Sequence, residues 1–114
     1  MDKIENNFEQ QWEKISLILH EGLRINNWGA SQGYTGRYFI IHEIKNEFIA
    51  INSPSAKTLQ VIPKGDFLEV WKVWTKYLNN IIPRFFIRDE ITRYSSYIIS
   101  IFHYIKMCEN VDKQ

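Results

Sequence analysis

The chain has 114 residues, of which 45% are hydrophobic and 24% charged, and its formal net charge is +1. These values are typical of one folded domain, so they exclude a disordered chain and leave no length for a second domain. Fourteen basic residues against thirteen acidic ones exclude the broad cationic field of a strongly basic nucleic-acid binder. The unusual feature is the aromatic content of 15%, with 4 Trp, 6 Tyr and 7 Phe.

Cysteine content and hydropathy indicate the compartment. Cys108 is the single cysteine, so the chain cannot form an internal disulfide. The first seven residues are mostly polar and lack the apolar core of a signal peptide. The most apolar run, residues 97–107, is interrupted by Ser100, His103 and Lys106 and is shorter than the roughly 20 residues that span a bilayer. We therefore expect a cytoplasmic protein without a membrane partner.

The first predicted element is an amphipathic helix. Its apolar residues recur at spacings of three and four, which is the pattern of one helical stripe. The stripe consists of Ile4, Phe8, Trp12, Ile15 and Leu19. Glycine and asparagine accumulate over residues 22–27, so we expect the helix to end there and a glycine-rich loop to follow as far as Arg37.

Strands are predicted next. Residues 38–44 and 47–52 are rich in β-branched and aromatic side chains, and Lys45-Asn46 alone separates them. A two-residue connection predicts a tight hairpin, with Ile41 opposite Ala50. Residues 58–62 supply a third short strand after a turn. Two successive tight connections favour an antiparallel meander.

Two helices are expected in the C-terminal half. Asp66 followed by Glu69 resembles a capping box, and apolar residues from 67 to 78 share one helical face. A last helix starts near residues 94–96, and a tail over about 109–114 is expected to fray. The predicted fold is one α+β domain over residues 1–114: an N-terminal helix, a three-stranded antiparallel meander and two C-terminal helices packed on the sheet.

Three stretches carry a resemblance. Residues 36–41 place a basic residue before a strand, residues 62–71 contain a Lys-x-Asp-Phe helix start, and residues 92–98 contain a Ser-Ser-Tyr-Ile helix start. Together they resemble small uncharacterised bacterial proteins from mobile elements, including integron gene cassettes. The resemblance covers about the C-terminal two thirds of the chain. It implies an α+β fold without a defined activity, and it transfers no catalytic residues.

No catalytic or metal-binding motif is recognisable. His20, His42 and His103 have no partner at metal-ligand spacing, and Cys108 belongs to no known nucleophile signature. The glycine-rich loop lacks the Gly-Lys-Ser/Thr ending of a phosphate-binding loop, and it leads into a strand. Because no nucleophile, base and orienting group can be named together, we expect a non-enzymatic protein without a cofactor or metal.

A cluster of basic and aromatic residues is the most suggestive feature. Such a cluster suits single-stranded nucleic acid, which offers phosphates and stackable bases. Glu69, Asp89 and Glu90 interrupt it, so a solvated face with locally paired arginines is the competing interpretation. This candidate binding patch consists of Trp71, Lys72, Trp74, Lys76, Tyr77, Arg84, Arg88, Arg93, Tyr94 and Tyr97.

The aromatic residues of the second predicted helix have three interpretations. Trp71 and Trp74 are three residues apart and cannot both lie at the centre of a narrow stripe, so one ring is expected at the rim of the core. That ring would anchor a partner or line a small-molecule pocket with Tyr97. The competing interpretation is that large rings fill the volume of the core.

We therefore predict a small non-enzymatic interaction module that self-associates through aromatic surface, as a homodimer or a larger homo-oligomer. Its expected self-association element is the first helix, provided that the core does not consume it. The residues concerned are Phe8, Trp12, Ile15 and Leu19. One alternative is a nucleic-acid-binding accessory protein that uses the basic residues of the candidate binding patch. A second is a protein that binds a small organic ligand among Trp71, Trp74 and Tyr97.

Overall fold

The computed structural model describes residues 3–112, apart from the side chains of residues 5, 6 and 112. In chain order it contains helix α1 (Lys3–Ile18), strands β1 (Arg24–Gly29), β2 (Gly33–Ile44), β3 (Phe48–Asn52) and β4 (Gln60–Pro63), helix α2 (Lys64–Leu78), the short helix α3 (Arg84–Phe86), a π-helical turn (Ile87–Ile91) and helix α4 (Ser95–Asp112). The strands form one antiparallel sheet in the order β1-β2-β3-β4. The α+β class and the antiparallel meander are confirmed. None of the described helices is long and apolar enough to cross a membrane.

The core lies between the helices and one face of the sheet. Alternate residues of a strand point to the same face, and Phe39, Ile49 and Ile51 are completely buried there. Helix α2 contributes Phe67 and Val70 to this core, and α4 contributes five side chains. These are Ile98, Ile99, Ile101, Phe102 and Ile105.

Helix α1 belongs to the same core. Phe8, Trp12, Ile15 and Leu19 are each at most 5% exposed. The Trp12 ring packs edge-on against Phe67, with 5.1 Å between the ring centroids. The core therefore consumes the expected self-association element, because its four side chains leave no surface for a second copy of the chain.

Strand β1 is a fourth strand where the sequence predicts a helix end and a loop. Its sequence, Arg-Ile-Asn-Asn-Trp-Gly, contains residues that favour turns. It is a strand because β2 pairs with it, with Ile25 opposite Phe39, and because α4 packs on it. Helix α1 ends before it, and Gly22 follows with φ of +87°, a left-handed conformation that glycine adopts without steric cost.

The β2–β3 hairpin has a different register from the predicted one. Ile41 lies opposite Ile51 and Ile44 opposite Ile49, with a β-bulge between Ile41 and Glu43. The bulge inserts one extra residue in β2. Ile41 and Ile44 therefore share a face with the buried Ile49 and Ile51, although they are three positions apart.

Two predicted helix boundaries and one predicted cap also change. Helix α2 begins at Lys64, directly after Pro63, and no side chain caps it. The Asp66 carboxylate instead accepts a hydrogen bond from the Thr92 hydroxyl at 2.8 Å, so the predicted capping box is wrong. Helix α4 continues to Asp112, which makes residues 109–112 of the predicted frayed tail helical. Residues 113 and 114 lie outside the described chain.

The N-terminal half of β2 has an open side. Strand β3 pairs with β2 only from Ile40 to Ile44, whereas β1 pairs with β2 from Gly33 to Ile40. Residues 33–39 therefore have a neighbouring strand on one side only within the described sheet. The β3–β4 connection and the first turn of α4 come close to this open side, and the space between them is the candidate site.

Candidate ligand-binding site

A cavity of about 760 Å³ lies beside the open side of β2. Four segments of the chain form its walls: the β1–β2 hairpin, the β3–β4 connection, the start of α3 and the first turn of α4. Small-molecule sites in proteins have volumes of roughly 300–1,000 Å³. The cavity therefore has the size of a site for one small ligand or one unit of a polymer.

The cavity walls combine cations, hydroxyl groups and aromatic rings. Arg37 and Arg84 supply two guanidinium groups, and within the described chain neither forms an ion pair. None of the described lining residues is acidic. The remaining functional side chains are those of Asn27, Trp28, Gln32, Thr35, Tyr38, Ser53, Ser55, Ser96 and Tyr97.

Trp28 is held in the wall from two sides. Its backbone N–H donates a hydrogen bond to Ser100 Oγ at 3.0 Å, and Ser100 Oγ donates to the Ser96 carbonyl at 2.7 Å. Its indole stacks on the imidazole of His103, with ring centroids 3.9 Å apart and an interplanar angle of 4°. These contacts join the irregular end of β1 to α4.

His103 is itself fixed behind the cavity wall. A hydrogen bond of 3.1 Å joins Tyr34 Oη to His103 Nε2. Burial lowers the pKa of His103, and the nearby charge of Lys106 lowers it further, because both disfavour the imidazolium form. The neutral imidazole is therefore the form that supports the Trp28 ring near pH 7.

Asn27 carries an unsatisfied acceptor. Its Oδ1 atom is enclosed and has no hydrogen-bond partner among the described residues. Buried side-chain oxygens almost always have a partner, and this residue lines the cavity. Because the atom is enclosed, a donor on a ligand would satisfy it only after the Asn27 side chain turns toward the cavity.

The structure separates the aromatic residues of the candidate binding patch. Trp74 and Tyr77 are buried in the core, so they are not part of an exposed patch. Tyr77 Oη accepts a hydrogen bond from the Ala30 backbone N–H at 2.9 Å. Trp71 is half-buried and packs edge-on against Phe102, at 5.3 Å between centroids. The predicted pocket among Trp71, Trp74 and Tyr97 is therefore corrected: of the three, Tyr97 alone lines the cavity.

The basic residues of the patch are separated as well. Lys72 forms an ion pair with Glu69 at 2.9 Å. The Arg88 guanidinium donates two hydrogen bonds to the Asp89 carboxylate, at 2.8 and 3.2 Å. The Arg88 pairing agrees with the competing interpretation of the patch, a solvated face whose arginines pair with nearby acidic residues.

Three more patch residues lie away from the cavity. Arg93 donates a hydrogen bond to Tyr94 Oη at 2.8 Å, and its guanidinium lies 4.9 Å from the centre of the same ring. Lys76 is exposed on α2. Of the ten patch residues, Arg84 and Tyr97 are the ones that line the cavity.

Sequence reasoning does not identify most of the cavity residues as candidate site residues. Trp28 falls in a predicted loop, and Ser53 and Ser55 have no distinguishing pattern. Arg37, Tyr38 and Ser96 have one signal, because they belong to the stretches of residues 36–41 and 92–98 in the resemblance described above. The site is assembled from segments that are distant in sequence, so a local pattern cannot reveal it.

Comparisons with known proteins do not add to this description. No protein-family model, no curated protein and no solved structure matches the chain. The resemblance to mobile-element proteins therefore stays a prediction. Among residues 3–112, no three His, Cys, Asp or Glu side chains are grouped so that they could hold a metal ion.

Proposed function

We propose that the chain is a non-enzymatic binding module that takes an anionic, phosphate-bearing ligand in the cavity. The observation that carries the proposal is the presence of Arg37 and Arg84 in one cavity whose described lining has no acidic residue. Guanidinium groups bind phosphate oxygens through paired, charge-assisted hydrogen bonds. The hydroxyls of Ser53, Ser55 and Ser96 supply neutral donors around the same anion.

The side chains of the cavity support recognition rather than catalysis. General bases and activated nucleophiles in enzymes are usually carboxylates, imidazoles, thiols or lysines. The described lining offers cations, hydroxyls, amides and rings instead. The hydroxyls of Ser53 and Ser55 hydrogen-bond to each other at 3.0 Å.

Calorimetric titration of the full chain with pyrophosphate tests the proposal. The titration is done at low salt, because dissolved ions screen contacts between exposed charges and weaken them. We expect binding by the natural chain and a loss of affinity in both Arg37→Gln and Arg84→Gln. A hydrogen bond to a charged group contributes about 1.5–3 kcal/mol, so each loss should be about 10- to 150-fold.

Arg88→Gln is the matched control for this titration. It also removes one exposed guanidinium, but that group already pairs with Asp89 and does not line the cavity. Arg88→Gln should therefore bind pyrophosphate like the natural chain. An absence of binding by the natural chain would overturn the proposal, and so would an equal loss in all three variants.

Self-association is a second candidate function, supported by a different surface from the one expected. Ile81, Phe85 and Phe86 are 67%, 60% and 38% exposed within one short segment. Exposed apolar side chains that lie together commonly mark an interaction surface. We propose that this segment, and not α1, contacts a second copy of the chain.

Light scattering coupled to gel filtration tests self-association. The natural chain should form a dimer or larger assembly at high micromolar concentration, and Phe85→Ser should shift it toward the monomer. Leu17→Ser is the control, because Leu17 is an exposed apolar residue on another element, α1. A natural chain that stays monomeric contradicts this candidate function.

The proposal includes a cytoplasmic location and a mobile-element origin. A single cysteine supports the first, because a chain that uses no internal disulfide suits a reducing compartment. The three stretches of the resemblance support the second.

A further inference from the structure

The rings in the cavity wall determine what kind of phosphate-bearing ligand fits. Trp28, Tyr38 and Tyr97 all line the cavity, together with the two arginines. A site for inorganic phosphate alone has no need of three aromatic side chains. Nucleobases stack on such rings, whereas phosphates bind guanidinium groups.

Contacts inside the protein hold these rings in place. One face of the Trp28 indole is covered by His103, and one face of the Tyr38 ring is covered by the Arg24 guanidinium at 3.7 Å. Tyr97 packs edge-on against Phe39, at 5.2 Å between centroids. Each contact occupies one face or edge of a ring, so the ring is fixed without being fully enclosed.

We infer that the ligand of this cavity is a nucleoside phosphate, with its phosphate on Arg37 and Arg84 and its base against the aromatic side chains. The inference rests on the proposed function and adds the chemical class of the ligand. A free nucleotide and one nucleotide unit of a single strand both offer this combination of base and phosphate. The cavity volume of about 760 Å³ accommodates one such unit.

Asn27 adds a preference among bases. Its unpartnered Oδ1 accepts a hydrogen bond from a base that carries an amino group, once the amide turns toward the cavity. Adenine has such a group at C6. Purine riboside 5′-phosphate has the same ring system and phosphate without that amino group, so it is the matched ligand that isolates this contact.

Calorimetric titrations of the full chain with four ligands test the inference: pyrophosphate, ribose 5-phosphate, AMP and purine riboside 5′-phosphate. We expect AMP to bind at least about 10-fold more tightly than ribose 5-phosphate, because base stacking adds to phosphate binding. AMP should also bind more tightly than purine riboside 5′-phosphate, by about 5-fold or more.

Asn27→Leu tests the amide contact directly. In this variant, AMP and purine riboside 5′-phosphate should bind equally, because the leucine side chain cannot accept the hydrogen bond of the amino group. The comparison of the two ligands on the natural chain needs no variant, so it remains decisive if Asn27→Leu folds poorly. Equal affinity of the natural chain for these two ligands overturns the base preference.

The ligand series separates failure of the inference from failure of the proposed function. If pyrophosphate, ribose 5-phosphate and AMP bind equally and all depend on Arg37, the nucleoside inference is wrong and the phosphate-binding proposal stands. If none of the ligands binds, both are wrong. Tighter binding of AMP than of ribose 5-phosphate supports both.

A short 5′-phosphorylated deoxyadenosine oligonucleotide distinguishes the two sources of a nucleoside phosphate. Binding of the oligonucleotide at least as tight as that of AMP assigns the cavity to a strand, and weaker or absent binding assigns it to a free nucleotide. An acidic peptide is the remaining arm, because the open side of β2 offers backbone groups to an extended peptide. Binding of that peptide as tightly as AMP overturns the inference.

Discussion

Ser100 joins the end of β1 to α4, and its removal has a predictable cost. It is 1% exposed, it accepts a hydrogen bond from the Trp28 backbone N–H at 3.0 Å, and it donates one to the Ser96 carbonyl at 2.7 Å. Ser100→Ala removes a single oxygen atom and leaves the Trp28 N–H without its partner. Trp28 keeps the stacking contact with His103 but loses the backbone contact that joins it to α4.

The stability change follows from two opposing terms. A partly buried donor left without an acceptor costs about 1–3 kcal/mol. Alanine favours the helix over serine by up to about 0.5 kcal/mol, which offsets part of that cost. We therefore expect Ser100→Ala to lower the free energy of unfolding by about 1–2 kcal/mol, which corresponds to roughly 4–8 °C in Tm for a chain of this length.

Urea unfolding followed by circular dichroism measures this change. Ser16→Ala is the control, because Ser16 is exposed in the last turn of α1 and its replacement changes helix propensity alone. The control should raise the free energy of unfolding by a few tenths of a kcal/mol. If Ser100→Ala is as stable as the natural chain, Ser100 does not hold the Trp28 backbone in solution and the reasoning fails.

Two further predictions concern residues around the site. Thr92→Val keeps the side-chain shape but removes the hydroxyl that donates to Asp66 at 2.8 Å, so urea unfolding should show a loss of about 1–3 kcal/mol; an unchanged midpoint contradicts this. The pKa of His103 is lower in the fold than its usual value of about 6.5, so the unfolded chain binds more protons below that pH. Stability should therefore fall as the pH drops below about 6.5 and through the lower folded pKa. Urea unfolding at pH 8 and pH 5 measures this change in stability. His103→Gln should reduce it, whereas the exposed control His42→Gln should keep it. An equal change in both variants would refute the attribution to His103.

The helices could be predicted from the sequence because their signals are local. The stripe from Phe8 to Leu19 and the apolar face that includes Phe67 and Val70 recur every three or four residues, and amphipathic helices use that spacing wherever they pack. The sequence did not indicate whether the apolar face of each helix is buried or exposed. The same spacing describes a buried face and an exposed docking face, so the burial of Trp12 follows only from the arrangement of the neighbouring elements.

Strand β1 and the site could not be predicted because both depend on contacts between distant segments. Asn26 and Asn27 favour a turn locally, yet pairing with β2 makes their segment a strand. The bulge between Ile41 and Glu43 likewise changes the register in a way that alternation alone does not indicate. Arg37 and Arg84 are 47 positions apart in the sequence, and the open side of β2 and the start of α3 bring them into one cavity.

The measurement that tests the central claim most directly compares two double variants of equal charge. Arg37→Gln/Arg84→Gln and Lys72→Gln/Arg88→Gln each remove two positive charges, but only the first pair lines the cavity. Calorimetric titration with AMP should show that the first variant loses binding by about 100-fold or more and that the second keeps the affinity of the natural chain. Equal losses in the two variants would attribute binding to net charge, and undiminished binding by the first would contradict the site.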